Sequence, residues 1–149
     1  QPGRWTQTDR PRMKSYRTRI VAAVLAGTMM LASCGGSNAT ETGLQLTPVD
    51  EVSEIVENPP EDLVILDIRT PEEFAAGHIA GAINIDYYAG DFEQRLGALD
   101  LDVPYVMYCN SGNRSSNALP LMDSIGFSEV YELDGGIQAW FGAGLPVQQ

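Results

Sequence analysis

Cys109-Asn110-Ser111-Gly112-Asn113-Arg114-Ser115 places a thiol, a turn-forming glycine and a guanidinium within one short stretch. Val103–Tyr108 before it is strand-like, and Ser115–Ile125 after it is helix-like and closed by Gly126. In α/β folds, ligands bind just outside the carboxyl ends of the strands. Gly112 permits a tight turn with positive φ. Successive N–H groups in such a turn form an anion-binding nest, and the N-terminus of the following helix adds partial positive charge. Arg114 adds a permanent charge. All of these favour thiolate over thiol, so Cys109 is expected to titrate below its free value of about 8.5. A thiolate cupped by donors is a nucleophile able to hold an anionic group during transfer. Cys109 is therefore the candidate nucleophile, and Asn110, Ser111, Gly112, Asn113 and Arg114 are the candidate substrate-binding residues. The bland alternative is an inert buried cysteine at a strand end. The glycine turn, the arginine and the helix start weigh against it.

The elements that must position this loop follow from hydrophobic patterning. Short apolar runs alternate with helix-like segments from Leu44 onward, which predicts α/β with a single domain and a mostly parallel central sheet flanked by helices. Leu44–Leu46 is a candidate edge strand. Thr47-Pro48 supplies an N-cap and a proline at the first helical position, and Val49, Val52, Ile55 and Val56 recur at helical spacing until Asn58-Pro59-Pro60. Leu63–Leu66 reads as a strand buried on both faces. Thr70-Pro71-Glu72-Glu73 is a capping box opening a short helix that ends at Gly77. Ala82–Ile85 is a strand, Phe92–Leu99 a helix, Val130–Leu133 the last strand, and Gly135-Gly136 opens a final helix around Ile137–Phe141. Pro120 lies inside the helix after the loop, where it removes a backbone bond, and predicts a kink or a short first segment.

Net charge is −11, which argues against a nucleic-acid binder. That charge is unevenly spread. Residues 1–33 carry six basic side chains against Asp9 alone, net +5; residues 34–149 carry three arginines against 19 acids, net −16. The hydrophobic share of 44% excludes a disordered chain. One histidine and two cysteines leave little for a metal site of the N/S type, and no cofactor is implied. Met13–Arg19 is a basic n-region, and Ile20–Ala32 is an apolar run of 13 residues, too short for the ~20 of a stable bilayer span. The run ends in Leu31-Ala32-Ser33-Cys34, which resembles the lipobox of bacterial lipoproteins, and that resemblance implies lipid attachment at Cys34. The alternatives are an ordinary secretory signal or a retained anchor. Residues 1–33 are thus read as an upstream extension (1–12) and a lipoprotein signal peptide, residues 34–43 as the lipidated cysteine with a flexible tether, and residues 44–149 as the folded domain. Gly35–Gly43 would span at most ~30 Å. The implied location is the bacterial cell envelope, lipid-anchored and facing the periplasm or exterior.

Three motifs in order resemble the rhodanese (sulfurtransferase) family over essentially all of residues 44–149. Asp67-Ile68-Arg69-Thr70-Pro71-Glu72-Glu73-Phe74 with Gly77-His78-Ile79-Ala80-Gly81-Ala82-Ile83-Asn84 is similar to its N-terminal signature. Tyr108–Ser115 is similar to its active-site loop. Leu133-Asp134-Gly135-Gly136-Ile137 with Trp140 and Gly144-Leu145-Pro146-Val147 is similar to its C-terminal signature. The resemblance implies a rhodanese-like domain in which Cys109 takes the outer sulfur of a donor as a persulfide and passes it to a thiol or to cyanide. The implied partners are a small sulfur donor and a thiol acceptor, such as a thioredoxin-like protein, with the domain itself monomeric. Related cysteine phosphatases place one residue more between Cys and Arg; the four here, Asn110–Asn113, make a smaller cradle that suits sulfur. Arg114 is the loop's one cation in a strongly acidic domain, which argues against high thiosulfate turnover and for a persulfide or polysulfide donor. The competing function is a non-catalytic module that binds a partner or senses sulfane sulfur. Other polar residues carry structural expectations: His78 packing and hydrogen-bonding near the sheet edge, Asp67 with Arg69 as a pair, Glu51, Glu54, Glu57, Glu61 and Asp62 as a solvated face, Trp140 in the core, and Tyr87-Tyr88 rimming the pocket.

Overall fold

The apolar runs do become parallel strands. A computed structural model of the chain describes residues 43–149. Cys34, the signal segment and all but the last residue of the tether lie outside the described residues. Five strands, β1 (Gly43–Thr47), β2 (Val64–Asp67), β3 (Ile83–Asn84), β4 (Pro104–Tyr108) and β5 (Glu129–Leu133), form one sheet in the order β1-β5-β4-β2-β3. Every pairing is parallel. Such a sheet requires helical crossovers that cover its faces. They are α1 (Val49–Glu57), α2 (Pro71–Ala76), α3 (Phe92–Leu96), α4 (Asn113–Ile125) and α5 (Gly136–Gly142).

Side chains alternate along each strand, so two cores form. Leu66, Met107 and Val130 pack with Phe92 and Leu96 of α3 and Ala118 and Met122 of α4. Val106, Tyr108 and Leu133 pack on the other face with Val52 of α1 and Ile137 and Trp140 of α5. Trp140 is 3% exposed, and its indole N–H donates to the Pro146 carbonyl at 2.9 Å. β4 sits at the centre of the sheet, so its carboxyl end is supported on every side.

Local chemistry accounts for most boundaries. The capping box of α2 is complete: the Thr70 hydroxyl accepts from the Glu73 N–H, and the Glu73 carboxylate accepts from the Thr70 N–H. Some boundaries shift. Thr47 closes β1, and Pro48 rather than Thr47 is the N-cap of α1. β3 has only two residues, α3 stops at Leu96, and β2 begins at Val64. α4 begins at Asn113, two residues before the expected start, because Gly112 caps it at φ +96°. Of the two outcomes expected at Pro120, the short first segment does not occur: α4 is one uninterrupted 13-residue helix. Pro120 is exposed, and so is Ser116, whose carbonyl the ring deprives of its helical donor.

The junction after β2 is held by a buried ion pair. The Arg69 Nε donates to both Asp67 carboxylate oxygens at 3.0 Å, its Nη2 to Oδ2 at 2.6 Å, and Nη2 also to the Gly77 carbonyl at 2.7 Å. The Asp67 side chain is 0% exposed. The guanidinium also lies over the Tyr108 ring, 5.6 Å from its centroid. This pair therefore ties β2 to the end of α2 and to β4. Breaking a buried pair leaves one charge unpaired. Asp67→Ala should lower stability by about 3–5 kcal/mol in urea unfolding; a loss below about 1 kcal/mol would show the pair to be well solvated instead.

Candidate active site

Cys109 is the first residue after β4 and is 1% exposed. Gly112, in the left-handed region, turns the chain so that its own N–H points back at Cys109 Sγ, 3.1 Å away. The Ser115 hydroxyl, one turn into α4, lies 3.5 Å from the same sulfur. Burial pushes the Cys109 thiol up, but bonds from the Ser115 hydroxyl and from the N–H groups of Ser115, Ser111 and Gly112 outweigh it and bring the group below its ordinary value. The Ser115 hydroxyl gives the largest of these, ahead of the nest and helix-start amides expected from the sequence.

A second backbone segment braces the loop from below. The Ile137 N–H donates to the Cys109 carbonyl at 2.9 Å, and the Gln138 N–H donates to the Asn110 carbonyl at 3.1 Å. That approach depends on Gly136. Its φ is +60°, and a Cβ there would meet the Cys109 carbonyl oxygen at 2.5 Å and Asn110 backbone atoms at 2.7 Å. The Gly135-Gly136 pair, read from the sequence only as a helix start, also determines how close α5 comes to the loop.

Arg114 does not stand free. Its Nη1 donates to Glu73 Oε2 and its Nη2 to Glu73 Oε1, both at 2.8 Å, a bidentate pair between α4 and α2. The Tyr88 ring, 69% exposed, lies under the guanidinium at 5.6 Å, which puts Tyr88 at the rim; Tyr87 turns inward against Phe92. The charge expected to draw an anion is therefore largely balanced by a carboxylate. Asn110, Gly112 and Arg114 are half-buried around the sulfur, while Ser111 and Asn113 are exposed. His78 stacks on Phe74 with ring centroids 3.8 Å apart, its Nδ1 lies 3.0 Å from the Phe74 carbonyl, and its backbone pairs with Gln148. It supports the fold beside the C-terminal segment.

Sequence reasoning missed three participants. Glu73 was legible only as a cap; it caps α2 and holds Arg114 with the same carboxylate. Ser115 was seen only as a helix start. Glu132 is 2% exposed and accepts at Oε1 from the hydroxyls of Ser115 and Ser116, each at 2.8 Å. The available signal was positional: Glu132 shares a strand face with Val130, and an acid on that apolar face needs partners. Among the described residues, no group of His, Cys, Asp and Glu could hold a metal ion.

Arg114 holds Glu73 at about 2, below its ordinary 4.5, with Thr70 assisting against a smaller penalty from burial. A depressed carboxylate stabilises the fold fully above the unfolded value and loses that contribution as pH falls through the folded one. The stability gap between the parent and Glu73→Gln should be widest near neutral pH and close between pH 4.5 and about 2, read from thermal unfolding. A gap independent of pH would show that the pair does not form in solution.

Comparison with known proteins agrees with this geometry. The family model described as Rhodanese-like domain matches residues 48–143. A thiosulfate sulfurtransferase GlpE of Pseudomonas aeruginosa is 46% identical over 77 residues, which cover 51% of this chain and 67% of that protein. The GlpE of Pseudomonas putida is 43% identical over 81 residues, 54% of this chain and 71% of that one. Among solved structures, a rhodanese-related protein of Thermoplasma volcanium superposes with a TM-score of 0.61 at 29% identity, covering 70% of this chain and 97% of its own. With a matched region that takes in four of the five strands, the loop at the end of β4 and the glycine turn beneath it, this chain belongs to the rhodanese-like domain family.

Proposed function

We propose that the domain is a sulfurtransferase that moves sulfane sulfur from a thiosulfate or persulfide-type donor to a thiol or cyanide acceptor. The observation that carries this reading is the Cys109 sulfur, buried at the end of the central strand, lowered in pKa and aimed at by the Gly112 N–H and the Ser115 hydroxyl. The thiolate attacks the outer sulfur of the donor. A new S–S bond forms as the donor's own bond to that sulfur breaks, and the leaving group departs with the electron pair, as sulfite or as a thiolate. Backbone N–H groups from Asn110 to Arg114 hold the negative charge of the terminal sulfur. An acceptor thiolate then removes it and regenerates Cys109. One cysteine suffices, and no cofactor enters.

The Glu73–Arg114 pair supports a donor of low charge. A dianion such as thiosulfate would meet a guanidinium already engaged by a carboxylate, in a domain with a large negative charge. A thiol persulfide needs less cationic help. The lipid anchor at Cys34 belongs to the same proposal and rests on the sequence alone: a short tether from an acylated cysteine would keep the domain at a bacterial envelope surface, where a thiol carrier could reach it.

Cys109→Ser should leave the fold intact and abolish sulfur transfer. In the parent, mass spectrometry should find one added sulfur atom on Cys109 after donor treatment, removable by cyanide. An intact fold that takes up no sulfur from any donor would favour the binding-module reading. For the anchor, Cys34→Ala should stop fatty-acid labelling and release the protein from membranes. Continued sedimentation of that variant, with no labelling of the parent, would refute lipidation.

A further inference from the structure

Cys109 is 1% exposed, Ser115 is 0% exposed and Glu132 is 2% exposed. A group this deeply buried meets little bulk water, so the side chains it touches are the ones placed to take its proton. The Gly112 N–H donates to the sulfur and cannot accept from it. The Ser115 hydroxyl is the partner that the described residues offer to an S–H group. Its oxygen lies 2.8 Å from Glu132 Oε1 and 3.0 Å from the Gly112 carbonyl, and it has one proton to give. A carboxylate is the stronger acceptor. With a neutral thiol, Ser115 therefore donates to Glu132 and turns a lone pair toward Cys109.

A thiolate reverses the requirement, since the sulfur then needs the Ser115 proton. An ionised Glu132 would lose that bond and stand buried close to a second negative charge, which is unfavourable. A protonated Glu132 donates to the Ser115 oxygen and keeps the network whole, with Ser116 still bonded to the carboxyl group. The network is satisfied with one mobile proton in either of two places. We propose that Glu132 is the proton acceptor of Cys109, reached through the Ser115 hydroxyl. The S–H bond breaks and the sulfur keeps the electron pair. The proton passes to Ser115 Oγ while the Ser115 proton passes to Glu132 Oε1. Nothing is oxidised or reduced. The inference rests on Cys109 being the nucleophile, and Glu132 acts as a positioning residue, since it meets no substrate.

Among the described residues, the other neighbouring charges do not take the proton. Arg114, at the start of α4, senses the Cys109 charge and titrates far above this range; Glu73 on α2 is held at about 2, and Tyr88 only covers Arg114. Beside Glu132 in the sheet stand Leu46 of β1 and Met107 of β4, neither of which ionises.

The test is the rate at which iodoacetamide alkylates Cys109 in the full chain, followed by peptide mass spectrometry from about pH 4 to 10. This reads thiolate without any sulfur donor. Glu132→Gln still accepts from both serine hydroxyls but cannot take the proton. Its acid limb should move to higher pH by on the order of one unit, roughly a tenfold loss of reactivity below the limb. A limb that stays in place, or moves to lower pH as removal of a like charge would make it do, overturns the proposal. In a Ser115→Ala background the same change should no longer move the limb to higher pH, because the route is already cut; a further upward shift there also overturns it. A shifted limb with no sulfur transfer would leave the proton route standing and reject the sulfurtransferase reading. Sulfur transfer with an unmoved limb would do the reverse.

Discussion

The site depends on one close approach, that of the Gly135-Gly136 turn to the backbone of Cys109 and Asn110. Two amides at the start of α5 bind the carbonyls of these residues, and a side chain at Gly136 would collide with them. With those carbonyls engaged below, the N–H groups of the loop are left to face the other way, toward the sulfur. The parallel sheet makes the approach available: β5 lies beside β4 in register, so the end of one strand delivers the turn to the end of the other. The buried thiol would otherwise be driven toward its neutral form, and the donors reverse that preference.

Around this backbone cup, two carboxylates are placed with opposite effect. Glu73 lies on the outer side and engages the guanidinium of Arg114, so the mouth of the loop carries little net charge. Glu132 lies beneath, on the core side, among hydroxyls. The acid-rich composition is therefore not confined to solvent-facing residues. The one arginine of the loop spends its hydrogen-bonding fork on the protein, and the sulfur is served by the Ser115 hydroxyl and by backbone N–H groups of the loop, none of which brings a counterion.

Much of the fold was legible because the signals are local. The Thr70-Pro71-Glu72-Glu73 box, the apolar run of β4 and the Gly112 turn each encode their own geometry within a few residues, and each forms as read. The Asp67–Arg69 pair was legible for the same reason, its members being two residues apart. Glu73 with Arg114 was not, since 41 residues separate them and only the order of strands brings α2 beside α4. Glu132 was hidden likewise: its serine partners are 16 and 17 residues away, and its strand reads as β-forming with or without an acid in it. Pro120 misled in the other direction. A helix proline costs less where the freed carbonyl belongs to an exposed residue, and periodicity alone did not reveal that Ser116 is one.

The near-complete burial of Cys109 has a consequence for timing under the proposed chemistry. An S–S bond adds about 2 Å to the side chain. The empty cysteine is recessed among backbone amides, whereas a sulfur carried on it would extend toward the mouth of the loop beside Tyr88 and Arg114. An incoming thiol would then meet the cargo before it could meet the carrier. Delivery would be gated by loading itself, with the empty form quiet toward bulky thiols and the charged form displaying its one transferable atom.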